Sequence, residues 1–147
     1  MIIAVVSKTS NCCLGRCNFS LRKIIPTLEK KTLVIGASLK EFRYSNICVK
    51  TLVAAGVPVA ALGLREGIID QVRVQTGIPE FKDIHTVTLY LRPENQTTWY
   101  DYILKLNPAR VIFNPETENE VFENMLNNAG IEVVEDCTLM MVEGGRF

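Results

Sequence analysis

Histidine and tryptophan are nearly missing from this chain: His85 and Trp99 each stand alone among 147 residues. With a single imidazole the sequence has little material for a histidine-built metal centre or proton relay. Charge of one sign is also missing. The 16 basic and 16 acidic groups cancel, so no general field draws in nucleic acid or an acidic membrane, and any anion binding must be local. No apolar run approaches the roughly 20 residues that a membrane-spanning helix needs. The opening MIIAVVSK lacks the charged-then-apolar order of a secretory leader, and its apolar stretch is too short for one. The five cysteines are an odd number, which argues against a disulfide framework and for reduced thiols in a cytoplasm.

What is present suits one domain. A chain of this size buries roughly 68–70% of its unfolded surface and can hold a core unaided. Its charge is unevenly spread. Residues 1–31 carry Lys8, Arg16, Arg22, Lys23, Lys30 and Lys31 against Glu29 alone. The division therefore falls near residue 30, with residues 1–29 a basic, cysteine-containing extension and residues 30–147 the folded body. Within the extension Cys12, Cys13 and Cys17 cluster without a nearby histidine, short of the four ligands that structural zinc takes. The extension reads as loosely docked chain or as sequence ahead of the native start; alternatively, IIAVV adds a strand.

Five short apolar runs are bounded by breakers: TLVIGA at 32–37, VPVAAL at 57–62, TVTLYL at 86–91, RVIF at 110–113 and IEVV at 131–134. Runs of this kind are buried parallel strands. Helical patterns lie between them at 45–55, 94–106 and 117–129, the last opening on a capping-box pattern, Thr117-Glu118-Asn119-Glu120. Residues 68–81 are mixed, with an extended piece around Val72–Val74. The C-terminal CTLMMVEGGRF is expected as an edge strand or tail. Strand–helix alternation predicts an α/β, Rossmann-like three-layer domain with a five-stranded parallel sheet, in the order 3-2-1-4-5 counted along the chain. Ligands of such sheets sit beyond the carboxyl ends of the strands, where the order reverses. Four loops then surround one crevice: 36–45, 63–67, 91–95 and 114–118.

The first loop offers Gly36 for a tight turn, Ser38 and Ser45 as hydroxyl donors, and Arg43 as a forked cation for phosphate, all beside a helix amino terminus. The full G-x-G-x-x-G fingerprint is absent. The second strand leads into Gly63-Leu64-Arg65, where NAD-binding domains place an acidic residue for the ribose. Arg65 instead suits a phosphate on the adenosine ribose, as in NADP or coenzyme A; the alternative is an ordinary exposed arginine.

The stretches KKTLVIGASLKEFRYS, ALGLREGIIDQV, VTLYLRPENQ, RVIFNPETENE and GIEVVEDCTLMM make residues 30–147 resemble the small stand-alone CoA-binding domain family, whose fold is similar to the amino-terminal domain of the succinyl-CoA synthetase α subunit. The resemblance implies coenzyme A across the crevice. It implies a phosphate loop at Gly36, Ala37, Ser38, Arg43, Tyr44 and Ser45, and a second contact at Gly63, Leu64 and Arg65. Leu91, Arg92 and Pro93, then Asn114, Pro115 and Glu116, complete the implied site. Where many relatives carry Pro-Lys, this chain has Leu64-Arg65, which keeps the charge. The synthetase's catalytic histidine lies in a second domain that this sequence does not match.

No catalytic residue is assigned. His85 precedes the third run, at the end away from the crevice, out of reach of a reacting proton. Cys137 lies in Glu135-Asp136-Cys137-Thr138, where neighbouring carboxylates raise a thiol's pKa; contact or exchange with the CoA thiol competes with plain packing. Cys48 reads as core. Trp99, Tyr100 and Tyr102 are expected as packing, with stacking on adenine as the alternative. The leading reading is a cytoplasmic CoA-binding sensor or carrier with a small nucleotide-type ligand. An NADP-dependent oxidoreductase and a ligand-free interaction module are the competing readings, and homo-oligomerisation stays open.

Overall fold

The computed structural model describes residues 30–147. The sequence reading of residues 1–29, including Cys12, Cys13 and Cys17, lies outside that span. Among the described residues seven strands form one sheet: β1 (Thr32–Ala37), β2 (Val59–Gly63), β3 (Gly67–Ile69), β4 (Val72–Gln75), β5 (Thr86–Leu89), β6 (Arg110–Phe113) and β7 (Glu132–Glu135). Four α-helices accompany them: α1 (Tyr44–Ala54), α2 (Tyr100–Leu106), α3 (Glu120–Asn128) and α4 (Thr138–Glu143). The order across the sheet is β3-β4-β2-β1-β5-β6-β7, and all pairings are parallel except β3 with β4.

The expected α/β class holds, while strand count and order need correction. The TVTLYL run is not the outer strand of a 3-2-1-4-5 sheet. As β5 it pairs directly with β1, Leu33 opposite Val87. All four β5 residues are buried, which suits a central strand covered on both faces. The place beyond β2 goes to β4, the extended piece around Val72–Val74. It pairs with β2 through Ala61–Val74 and Leu62–Gln75. Chain direction reverses in the short hairpin β3–β4, where Asp70 turns at φ 55°. Two strands this short leave little periodicity to read.

Two apolar layers flank the sheet. On one face Leu33, Ile35, Leu62, Val87, Leu89 and Phe113 meet Ile103 of α2 and Phe122 and Leu126 of α3. On the other, Val34, Ala61 and Val74 meet Cys48, Val49 and Leu52 of α1. Leu139 and Val142 pack there too, so the C-terminal piece is helix α4 rather than strand or tail; its apolar side has a partner in this layer. Helix α3 starts later than the Thr117 pattern suggested. Asn119 is its cap, accepting from the Phe122 amide at 3.3 Å, while Glu123 accepts from the Asn119 amide at 2.9 Å.

Candidate functional site

The loops after β1, β2, β5 and β6 surround a cleft of about 850 Å³ at the carboxyl ends of these strands. It opens at the switch point between β1 and β5, on either side of which the chain winds in opposite directions. The volume falls within the roughly 300–1,000 Å³ of small-molecule and cofactor sites.

The β1 loop turns at Gly36, with φ 94°. A Cβ there would stand 2.9 Å from both the carbonyl carbon and oxygen of Tyr90, so only glycine lets β1 and the β5 loop run this close. Ser45 Oγ accepts from the Ser38 amide at 3.2 Å, and Ser38 Oγ accepts from the Lys40 amide at 3.3 Å. Asn46, buried, donates Nδ2 to the Ser38 carbonyl at 2.8 Å. These bonds consume the Ser38 amide, while each serine keeps its own hydroxyl proton to donate. Arg43 is the helix cap residue, and no side chain caps α1. The start of α1 thus has no capping side chain; the Asn46 amide is taken by the Arg43 carbonyl at 2.9 Å, and the earlier amides of the turn leave a setting that favours an anion.

Leu64 and Arg65 follow β2 into the cleft lining. Gly63 serves geometry, since a Cβ there would collide with the Ala37 carbonyl oxygen. Glu66, next along the chain, does not line the cleft; it pairs with Arg73 at 3.5 Å and accepts from Thr76 Oγ1 at 3.4 Å.

The opposite wall is Tyr90, Leu91, Arg92 and Asn95 from the β5 loop with Pro115, Glu116 and Thr117 from the β6 loop. Fully buried Gln96 staples the two loops. Its Nε2 donates to the Leu91 carbonyl at 2.9 Å and the Thr117 carbonyl at 2.6 Å, and its Oε1 accepts from Asn119 Nδ2 at 3.0 Å. Thr117 Oγ1 donates to the Asn114 carbonyl at 2.7 Å. Glu116 is carried between them at φ 73°.

Of the residues expected at the site, Gly36, Ala37, Ser38, Arg43, Tyr44, Ser45, Leu64, Arg65, Leu91, Arg92, Pro115 and Glu116 line the cleft. Gly63, Pro93 and Asn114 do not. Pro93 starts a short 3₁₀ turn. Asn114 is a buried clamp, donating to Thr88 Oγ1 at 2.7 Å and to the Leu89 carbonyl at 2.9 Å, and accepting from the Thr138 amide at 2.9 Å. The expected site residues left out Leu39, Lys40, Tyr90, Asn95 and Thr117 of the lining and Gln96 behind it. Leu39, Lys40, Asn95 and Thr117 fall inside the loops marked around the crevice, which could have flagged them; nothing local flags Gln96.

Lys40, Arg43, Arg65 and Arg92 bring four positive charges to the cleft, against the Glu116 carboxylate. The ion pairs among the described residues are Lys50–Glu41, Arg73–Glu66 and Arg146–Asp136, and none uses a cleft cation.

The remaining candidates lie elsewhere. Cys48 is buried, and that burial pushes its thiol up to about 12. Cys137 is half-buried at the start of α4, outside the cleft lining. Trp99 packs edge-on against Tyr102 with ring centroids 5.7 Å apart, and Tyr100 stacks on Phe122 at 4.3 Å. His85 sits just ahead of β5, its Nδ1 2.9 Å from Thr86 Oγ1. Its pKa is lowered by burial and by the nearby Arg110 and Lys30 charges.

A doubly wound α/β domain with its cleft at the strand-order reversal defines a Rossmann-type class. The model of the CoA binding domain family matches residues 30–143. The chain belongs to that family. Among solved structures, an uncharacterized protein is 42% identical, covering 80% of this chain and 98% of its own, with TM-score 0.78. A Thermus thermophilus protein described as cell-free ID.343 is 22% identical over 88% of this chain and 98% of its own, with TM-score 0.70. A hypothetical protein from Pyrococcus horikoshii OT3 is 23% identical over 87% and 90%, with TM-score 0.68. The latter two show the same fold. No curated protein matches the chain. No described helix is long and apolar enough to cross a membrane.

Proposed function

We propose that this chain binds coenzyme A in the cleft, as a cytoplasmic sensor or carrier of CoA or an acyl-CoA. The observation that carries this reading is the set of four cleft cations with no ion-pair partner among the described residues. Unpaired cations beside an uncapped helix start await the charge of phosphates. Membership of the CoA binding domain family supports coenzyme A as that ligand. In this reading the pyrophosphate meets Lys40, Arg43 and the serine hydroxyls, and Arg65 meets the phosphate on the ribose. Leu39 and Leu64, partly or wholly exposed at the mouth, offer an apolar surface for the adenine.

The same arginine keeps an NADP-dependent oxidoreductase as the second reading. An unphosphorylated NAD ribose is disfavoured: the carboxylate that follows β2, Glu66, is engaged by Arg73 and stands outside the lining.

Calorimetric titration with CoA, 3′-dephospho-CoA, NADP and NAD tests the reading. CoA is expected to bind, and to bind much more weakly without its 3′-phosphate. NADP binding with CoA silent would move the chain to the second reading, and silence from all four would leave an interaction module. Arg65→Ala is expected to cost about 1.5–3 kcal/mol of CoA affinity, roughly tenfold to a hundredfold. Unchanged affinity would remove Arg65 from the site.

A further inference from the structure

The sequence places a carboxylate directly after a cleft cation twice: Lys40-Glu41 in the β1 loop and Arg65-Glu66 after β2. Either carboxylate, turned inward, would neutralise the cations that a phosphate needs. Neither lines the cleft. Each is engaged instead by a cation that also stands outside the lining: Glu41 by Lys50 of α1 at 3.4 Å, and Glu66 by Arg73 of β4 at 3.5 Å.

The hairpin register explains the second pairing. Gly67 pairs with Val74 and Ile68 with Arg73, so Glu66, one residue before β3, lies across from the far end of β4. There Thr76 Oγ1 adds a bond at 3.4 Å. For Glu41 the partner is presented by the body of α1. Both pairs are well exposed, with Glu41 85% and Arg73 73% accessible in their side chains. Pairs this open contribute little to folding. What they set is the position of a negative charge, which matters within a Debye length of roughly 8–10 Å at physiological salt.

We propose that Lys50 and Arg73 are positioning residues that hold Glu41 and Glu66 outside the cleft, Lys50 preserving its affinity for the pyrophosphate and Arg73 its preference for a phosphorylated ribose. The proposal rests on the CoA reading of the cleft.

The test measures CoA, 3′-dephospho-CoA and adenosine 3′,5′-bisphosphate binding by calorimetry at low salt. The proteins are the wild type, Arg73→Gln, Lys50→Gln, Glu66→Gln, Glu41→Gln and the two double variants. Arg146→Gln, which loses the same charge from a pair outside the cleft, is the control. Arg73→Gln and Lys50→Gln are each expected to weaken CoA and the bisphosphate threefold or more. The ratio of CoA to dephospho-CoA affinity should fall with Arg73→Gln and hold with Lys50→Gln, and the melting temperature should not move with either. Adding Glu66→Gln or Glu41→Gln restores binding to within twofold, while these two changes alone shift it less than twofold, because their carboxylates already stand outside.

Effects of Glu66→Gln and Arg73→Gln that are equal and opposite would show a simple field sum and overturn the proposal. So would weakening by Arg146→Gln to the same degree, or no weakening at all. Failure of the wild type to bind either CoA or the bisphosphate is a separate outcome: it removes the CoA reading itself and this proposal with it.

Discussion

On one side of the cleft the β1 loop owes its path to backbone freedom at Gly36 and to a few bonds between Ser38, Ser45 and Asn46. On the other side the β5 and β6 loops are tied by one buried amide, Gln96, whose three hydrogen bonds reach Leu91, Thr117 and Asn119. The first wall carries Lys40 and Arg43 and leaves the start of α1 without a side-chain cap; in the second, Gln96 and Thr117 bond within the wall, and Arg92 and Glu116 stand in its lining. The difference separates two ways of making a site. One wall holds donors in reserve for a ligand. The other spends its polar groups on its own shape.

The comparison can be broken at either wall. The largest effect is expected from Gly36→Ala. The added Cβ meets the Tyr90 peptide at 2.9 Å and takes an unfavourable φ, together costing roughly 3 kcal/mol or more in urea unfolding. A cost under about 1 kcal/mol would show that the two strand ends can move apart. Gln96→Ala comes next, at about 2–3 kcal/mol, because the Leu91 and Thr117 carbonyls lose this donor and Asn119 Nδ2 keeps only the Tyr100 hydroxyl. Its CoA affinity should fall as well, as the rim loosens; a fully stable variant would mean that water replaces the amide. Ser45→Ala removes one bond to the Ser38 amide and should cost about 1 kcal/mol in unfolding. A loss of CoA affinity larger than this stability change would indicate that the hydroxyl donates to the ligand.

The smallest effect is expected at the opposite end of the sheet. Burial, Arg110 and Lys30 lower the His85 pKa against a weaker pull from Glu132, so the fold prefers the neutral ring. Its contribution to stability is complete above roughly pH 6.5, the ordinary imidazole value, and is lost as pH falls below that until the folded form titrates too. His85→Gln should flatten this slope in a pH series of melting temperatures, and an unchanged slope would place its origin elsewhere.

The strands that carry the core were legible because Leu33–Ile35 and Val111–Phe113 are continuous apolar runs and Thr86–Leu91 is rich in β-formers, each followed by a glycine or proline within two residues. The glycine turn at Gly36 and the cation at Arg65 were legible for other reasons: a glycine closing the first run marks a tight turn, and a cation stands where NAD-binding domains place a carboxylate. The β3–β4 hairpin was half seen, since Val72-Arg73-Val74 alternates but Gly67-Ile68-Ile69 is too short for a period. That gap misplaced β5 and with it the strand order. Helix α4 was missed because six residues carry little helical pattern, and its apolar side has meaning only against α1. Gln96 and Asn114 were out of reach for another cause. A buried amide looks like any surface amide until its partners, more than 20 residues away, are brought beside it.

Each outer edge of the sheet is poor ground for a further strand. At one edge β7 exposes Glu132 and Glu135 at its two ends, so a newcomer pairing there would lay its backbone along two carboxylates. At the other, β3 offers a ladder of three residues and then turns away at Asp70. Short or charged borders of this kind discourage edge-to-edge growth. A chain with nearly half its residues apolar and no net charge would otherwise be exposed to aggregation, and here the margins of the sheet guard against fibril-like stacking.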